Sequence, residues 1–172
     1  MTDAQLLLAG RVLRLPAKRI RAEVVRDYMV GLGHDRVVCF TSGNAGACLR
    51  EQGLDVLSVG PGGALLPGRW WQPSEIAAVW PDRFDATSGH LPMHLMALFA
   101  VALQAHLGPL GPGPWLVPTG SGETLCALAL VYPGHTLCAL THTDHHTDHH
   151  DAMPLAPLVA AHRVIKWTAP DA

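Results

Sequence analysis

The most constraining feature of the sequence is a pattern that occurs twice: an apolar run of strand length, a glycine-containing turn, and a helix-forming segment. The first copy runs Arg36 to Thr41 (RVVCFT), turns at Ser42, Gly43 and Asn44, and continues from Ala45 to Gln52 before Gly53 stops it. The second runs Trp115 to Pro118, turns at Gly120 to Gly122, and continues from Glu123 to Tyr132. Another apolar run, Leu54 to Val59, follows the first helix and closes at the Gly60 to Gly63 cluster. Strands joined through a helix lie parallel, because short hairpin turns join only antiparallel neighbours.

The remaining segments extend the same scheme. His135 to Thr141 reads as a strand, Arg163 to Trp167 and Arg11 to Leu15 as edge strands, and Ile20 to Leu32 as a helix. Leu91 to Leu107 is apolar on every face, with Pro92 near its start and Gly108 just past its end, and is predicted to be a buried central helix. The proline- and tryptophan-rich stretch Leu65 to Asp82 fits a loop with one short helix capped by Ser74. The expectation is an α/β fold: a mostly parallel twisted sheet with helices on both faces, in one domain over residues 1–172.

Composition closes off several functions. With 49% hydrophobic residues and 172 in all, the chain can bury a core of its own. Charged residues make up 15% and the net charge is -2, so the totals imply no field that gathers nucleic acid or an anionic membrane. Nucleic acid remains open as a substrate. Cys39, Cys48, Cys126 and Cys138 lie in apolar stretches without CxxC spacing, and read as buried thiols in a reducing compartment. The most apolar stretch is interrupted by His94, Gln104 and His106, so the expectation is a soluble, cytoplasmic protein.

Both glycine turns sit where a strand's carboxyl end meets a helix N-terminus, the place where ligands bind in open α/β sheets. Glycines let backbone approach a ligand, and the helix directs unpaired N–H groups and its positive dipole end at an anion. At Gly120, Ser121, Gly122, Glu123 and Thr124 a phosphate fits without a lysine, although the segment lacks the Gly-Lys-Ser/Thr of a nucleotide-binding loop.

TSGNAG, residues 41–46, resembles the Ser-Gly-Asn loop of fold-type-II (tryptophan synthase beta-like) pyridoxal 5'-phosphate (PLP) enzymes, and PTGSGET resembles their glycine-rich phosphate loop, in the same order. In that family the Schiff-base lysine stands upstream of the Ser-Gly-Asn loop at a helix start, followed closely by arginine. Lys18, Arg19 and Arg21 stand at the matching place, and Lys166 is the only other lysine. The stretch FDATSGHLPMHLMALFAVALQ resembles the D-cysteine desulfhydrase and aminocyclopropane-carboxylate deaminase branch. Members of the family are considerably longer, so the resemblance implies a reduced core lacking much of the smaller mobile domain. The family's asparagine-proline-glycine-serine lead-in is here only Leu15, Pro16 and Ala17, and the residue facing the pyridine nitrogen has no clear counterpart beyond Thr168 or the histidine tract.

The resemblance implies residue roles. Lys18 would hold PLP and move protons, Asn44 would hydrogen-bond the pyridine 3-oxygen, and Gly120 to Thr124 would hold the phosphate. Ser42, Gly43 and Ala45 would meet the substrate carboxylate; apart from the resemblance, the position of His90 and His94 near the start of the apolar helix would let them line the same crevice, although core histidines are the commoner case. Such a lysine acts when deprotonated, and burial beside Arg19 or Arg21 would favour that form. The implied activity is elimination, deamination or decarboxylation of an α-amino acid or amino-acid-derived group. If the lid is missing, a substrate moiety attached to a macromolecule, such as a modified DNA base or a carrier protein, would cover the site itself. Family members are commonly dimers, which makes a homo-oligomer the expectation.

Two other readings stand beside this one. His142 to Asp151 reads HTDHHTDHHD, in which imidazoles beside carboxylates suit zinc or another transition metal, so a metal-dependent hydrolase is one alternative. The same tract also reads as a polar loop at a strand's carboxyl end, or as histidines at the mouth of the active site that contact substrate phosphates or carboxylates. The other alternative is a non-catalytic module that holds a phosphorylated ligand or a partner on a decayed PLP fold.

Overall fold

The computed structural model describes residues 1–40, 44–59, 73–87, 89, 91–141 and 163–166. The chain divides into two compact units: Met1–Leu15 with Leu103–Ala172, and Pro16–Ala102. One domain was the expectation. Each unit carries a parallel sheet of its own, so the strands expected in a single sheet fall into two.

The Pro16–Ala102 unit holds α2 (Ala17–Gly31), β2 (Arg36–Phe40), α3 (Asn44–Glu51), β3 (Asp55–Val59), α4 (Pro73–Val79), β4 (Phe84–Asp85) and most of α5 (Met93–Leu107), numbered along the whole chain. Its strand order is β3-β2-β4, with Arg36 opposite Asp55 and Val37 opposite Phe84. Alternation along β2 divides its four buried residues between two faces. Val37 and Cys39 pack with Ala22, Val25 and Met29 of α2, Leu49 of α3 and Leu95 of α5. Val38 and Phe40 pack with Val59, Ile76 of α4 and, half-buried, Trp80. Helices thus cover both faces of the central strand.

The other unit holds α1 (Asp3–Ala9), β1 (Arg11–Val12), β5 (Trp115–Pro118), α6 (Glu123–Val131), β6 (Leu137–Thr141) and β7 (Arg163–Lys166). The strands lie in the order β1-β5-β6-β7, all parallel. Leu6 of α1 closes one face against Leu116, Cys138 and Ile165, while Val117 and Ala139, also buried, point to the opposite face. Thr2 and Gln5 form a reciprocal capping box that starts α1. That helix and the two-residue strand β4 have no counterpart in the sequence reading, being shorter than the windows that periodicity resolves.

Two local expectations change. Ser74 lies inside α4, whose first residue is Pro73, the position that a proline's missing N–H suits. The α5 helix is not buried all round: Met93, Leu98 and Val101 are 51%, 52% and 57% exposed, while Leu95, Met96, Phe99 and Leu103 are buried. Among the described residues no helix is long and apolar enough to cross a membrane.

Arg83 pins the amino edge of the three-stranded sheet. Its guanidinium donates to the Val37 and Asp55 carbonyls, both at 3.0 Å, and to the Asp55 carboxylate at 3.1 Å. Arg36 adds a second cation to Asp55 and bonds Asp82. Arg83→Ala therefore leaves two main-chain acceptors without this donor, and is expected to cost about 2 kcal/mol in urea unfolding. A loss under about 0.5 kcal/mol would show that water replaces the guanidinium freely. The Arg83 guanidinium, helped by Arg36, holds the Asp55 carboxyl below its usual range. A carboxyl lowered in the folded state contributes stability that is present above its ordinary value of 3.8 and fades as pH falls through that value and below. Asp55→Asn is accordingly expected to flatten the fall in stability below about pH 4, read by urea titrations at stepped pH.

Candidate functional site

The turn after β5 is built by its own side chains. Thr119 N–H donates to the Leu140 carbonyl at 3.1 Å, tying the turn to β6. Thr119 Oγ1 in turn accepts from Gly122 N–H at 3.0 Å. Gly122 then takes φ 87 and ψ -3, a left-handed conformation that penalises any residue with a Cβ, and caps α6 without a side-chain hydrogen bond. The N-terminal end of α6 is therefore opened by backbone alone, at the carboxyl end of a parallel strand. A Cβ at Gly120 would meet nothing within 4 Å, so this glycine leaves open space beside the turn.

Glu123 departs from a phosphate-binding role for its side chain. It is the first residue of α6 and is buried, 3% exposed. A carboxylate there answers the helix dipole itself. Its charge also reaches one turn along the helix: burial, then Glu123, pushes the Cys126 thiol up to about 12. Any phosphate contact at this position rests on the backbone N–H.

The second turn lies in the other unit, where β2 ends at Phe40 and α3 begins at Asn44. Asn44 is exposed and Ala45 half-buried at the helix start, while Ser42 and Gly43 lie outside the described residues. Lys18 occupies the first turn of α2. Its burial beside arginines is overturned: Lys18 and Arg19 are both exposed, and Arg21 alone is buried. His90, His142 to Asp151 and Thr168 also lie outside the described residues. His94 is exposed, its ring 5.3 Å from that of Tyr28. Among the described residues no group of three or more metal-binding side chains occurs.

The described candidates fall into two groups. Lys18, Asn44 and Ala45 belong to the Pro16–Ala102 unit, and Gly120 to Thr124 to the other. The sequence reading missed a polar contact within the first group. Arg21 donates to the Thr87 carbonyl at 3.1 Å, and Thr87 Oγ1 accepts from Phe40 N–H at 3.0 Å, at the end of β2. The signal was present in the spacing: Arg21, Val25 and Met29 share the buried stripe of α2. A cavity of about 360 Å³, lined by Met1, Leu6, His135, Cys138 and Arg163 among others, opens instead at the amino ends of β6 and β7. That is the opposite end of the sheet from the glycine turn, and not the end where parallel sheets hold ligands.

The fold and its turns define a two-unit α/β protein with helix N-termini at the carboxyl ends of parallel strands. Comparison with protein-family models, with curated proteins and with solved structures finds no match to this chain.

Cys126 supplies a direct test of the buried start of α6. A raised thiol is fully protonated at ordinary pH, and its contribution to stability is present below its usual value of 9.0 and lost as pH rises toward about 12. Iodoacetamide at pH 8 is expected to leave Cys126 unmodified in the folded protein and to modify it after unfolding in urea, read by peptide mass mapping. Alkylation of the folded protein at the unfolded rate would mean that α6 opens readily.

Proposed function

We propose that the chain is a PLP-dependent enzyme acting on an α-amino acid or an amino-acid-derived group, free or carried on a larger molecule, by elimination, deamination or decarboxylation. The observation that carries the reading is the pair of strand–turn–helix sites in their sequence order, the first beside the helix that bears Lys18 and the second opened by left-handed Gly122. The residues fit the cofactor in kind: an amine at a helix start, an amide at the next helix start, and an uncapped helix N-terminus suited to a phosphate.

Bound PLP supplies an electron sink for charge developing at the substrate's α-carbon. Lys18, exposed in the first turn of α2, would hold the cofactor through its Nζ and move the proton at that carbon. Asn44, first in α3, would hydrogen-bond the pyridine 3-oxygen, and the backbone at Ala45 would belong to the helix start that meets a substrate carboxylate. In the same reading the turn Gly120, Ser121, Gly122, Glu123 and Thr124 would hold the phosphate, with Gly122 shaping the turn while its own N–H is engaged by Thr119 Oγ1.

Because the chain has two lysines, Lys18→Ala leaves Lys166 as an internal control for adventitious reaction. With added PLP, the wild type is expected to develop a visible absorption band that borohydride fixes covalently on Lys18, and Lys18→Ala to develop none. Equal trapping in the two proteins, or none in either, overturns the enzyme reading. Retained binding of inorganic phosphate without any band would instead support a phosphate-binding module.

A further inference from the structure

We infer that Arg21 is a positioning residue for Lys18, an inference that rests on the proposed role of Lys18 in holding the cofactor. Among the described residues four polar or charged residues are buried, Arg21, Thr87, Glu123 and Thr141, and the Arg21 guanidinium donates to the main-chain carbonyl of Thr87. A guanidinium is costly to take out of water and is a poor source of net stability even when paired. Its use here is geometric: it ties a particular turn of helix to a particular strand end.

The start of α2 needs such a tie. Its cap is Pro16, which offers no side-chain acceptor, so the first turn closes only on the Pro16 carbonyl, taking Arg19 N–H at 3.0 Å and Ile20 N–H at 3.1 Å. Lys18 sits within that turn, and a turn with no side-chain cap frays readily. Arg21, one turn further along, reaches the Thr87 carbonyl at 3.1 Å. Thr87 is fixed in turn: its N–H donates to Asp85 Oδ1 at 2.9 Å, and its Oγ1 accepts from Phe40 N–H at 3.0 Å. Phe40 ends β2, the strand that leads to Asn44. A chain of hydrogen bonds therefore runs from the lysine's helix through Thr87 to the strand that delivers Asn44. Arg21 sets the place of Lys18 relative to the start of α3 through this chain of hydrogen bonds.

Arg83 gives the control. It too donates to main-chain carbonyls of this sheet, but at the amino ends of β2 and β3. Arg21→Met, Arg21→Lys and Arg83→Met are compared with the wild type in two measurements. In the first, amide hydrogen exchange of the cofactor-free protein, Arg21→Met is expected to speed exchange at Arg19 to Ala22 by about tenfold or more, Arg83→Met to leave it within about twofold, and Arg21→Lys to restore part of the protection. In the second, the PLP concentration that half-saturates borohydride-trapped labelling of Lys18 is expected to rise about tenfold in Arg21→Met and less in Arg21→Lys, with Arg83→Met unchanged. Unaltered exchange in Arg21→Met, or equal effects of Arg21→Met and Arg83→Met, overturns the inference. Absence of labelling in the wild type overturns the cofactor reading instead, and the exchange experiment alone then decides whether Arg21 holds the turn. If Arg21→Met does not fold, Arg21→Lys against Arg83→Met makes the same comparison.

Discussion

Every strand pair in the described structure is parallel, and the other features depend on that constraint. A parallel neighbour cannot be reached by a tight hairpin, so the chain must cross back over a face of the sheet through a helix or a long connection. The crossover covers apolar strand surface and brings a strand's carboxyl end against the next helix N-terminus. Phe40 delivers the chain toward α3 and Pro118 toward α6 by the same geometry, so the two candidate anion sites follow from the way the core is covered.

Within the Pro16–Ala102 unit the sheet is small, and β4 contributes only two residues. A ladder that short supplies few hydrogen bonds, and arginines make up the deficit at its two ends. Arg83 donates to carbonyls at the amino edge, where Asp55 gives it a carboxylate partner in water. Arg21 donates to a carbonyl past the carboxyl edge, where it is buried. The partly wet clip serves the strands alone. The dry one also fixes a helix start, tying α2 to the residue that bonds the end of β2.

Strong, repeated patterns were legible in the sequence. Trp115–Pro118 matches its expected strand residue for residue, and β2, α3, β3 and α6 fall within a residue or two of expectation, because apolar runs and glycine stops act locally. The separation into two sheets was not legible: the partners of β1 and β7 lie far along the chain, and nothing local in Arg11–Val12 names Trp115–Leu116 as its neighbour. The exposed face of α5 was hidden for a related reason, since Met93, Leu98 and Val101 are as apolar as the residues buried beside them. Side-chain roles were least legible. The three cations Lys18, Arg19 and Arg21 look alike in sequence, and only the helix period, which places Arg21 with Val25 and Met29, separates the buried one from the exposed two.

Glu123 bears hardest on the phosphate reading. Helix N-termini attract anions through partial charges on unpaired N–H groups, and an acidic side chain in the first turn satisfies part of that attraction before any ligand arrives. In α6 the acidic group is buried, and after burial itself it is the second influence that raises the Cys126 thiol one turn away. The glycines work in the opposite sense: left-handed Gly122 leaves the helix end without a side-chain cap, and nothing crowds Gly120. Phosphate binding there would rest on close backbone approach beside a buried acidic side chain.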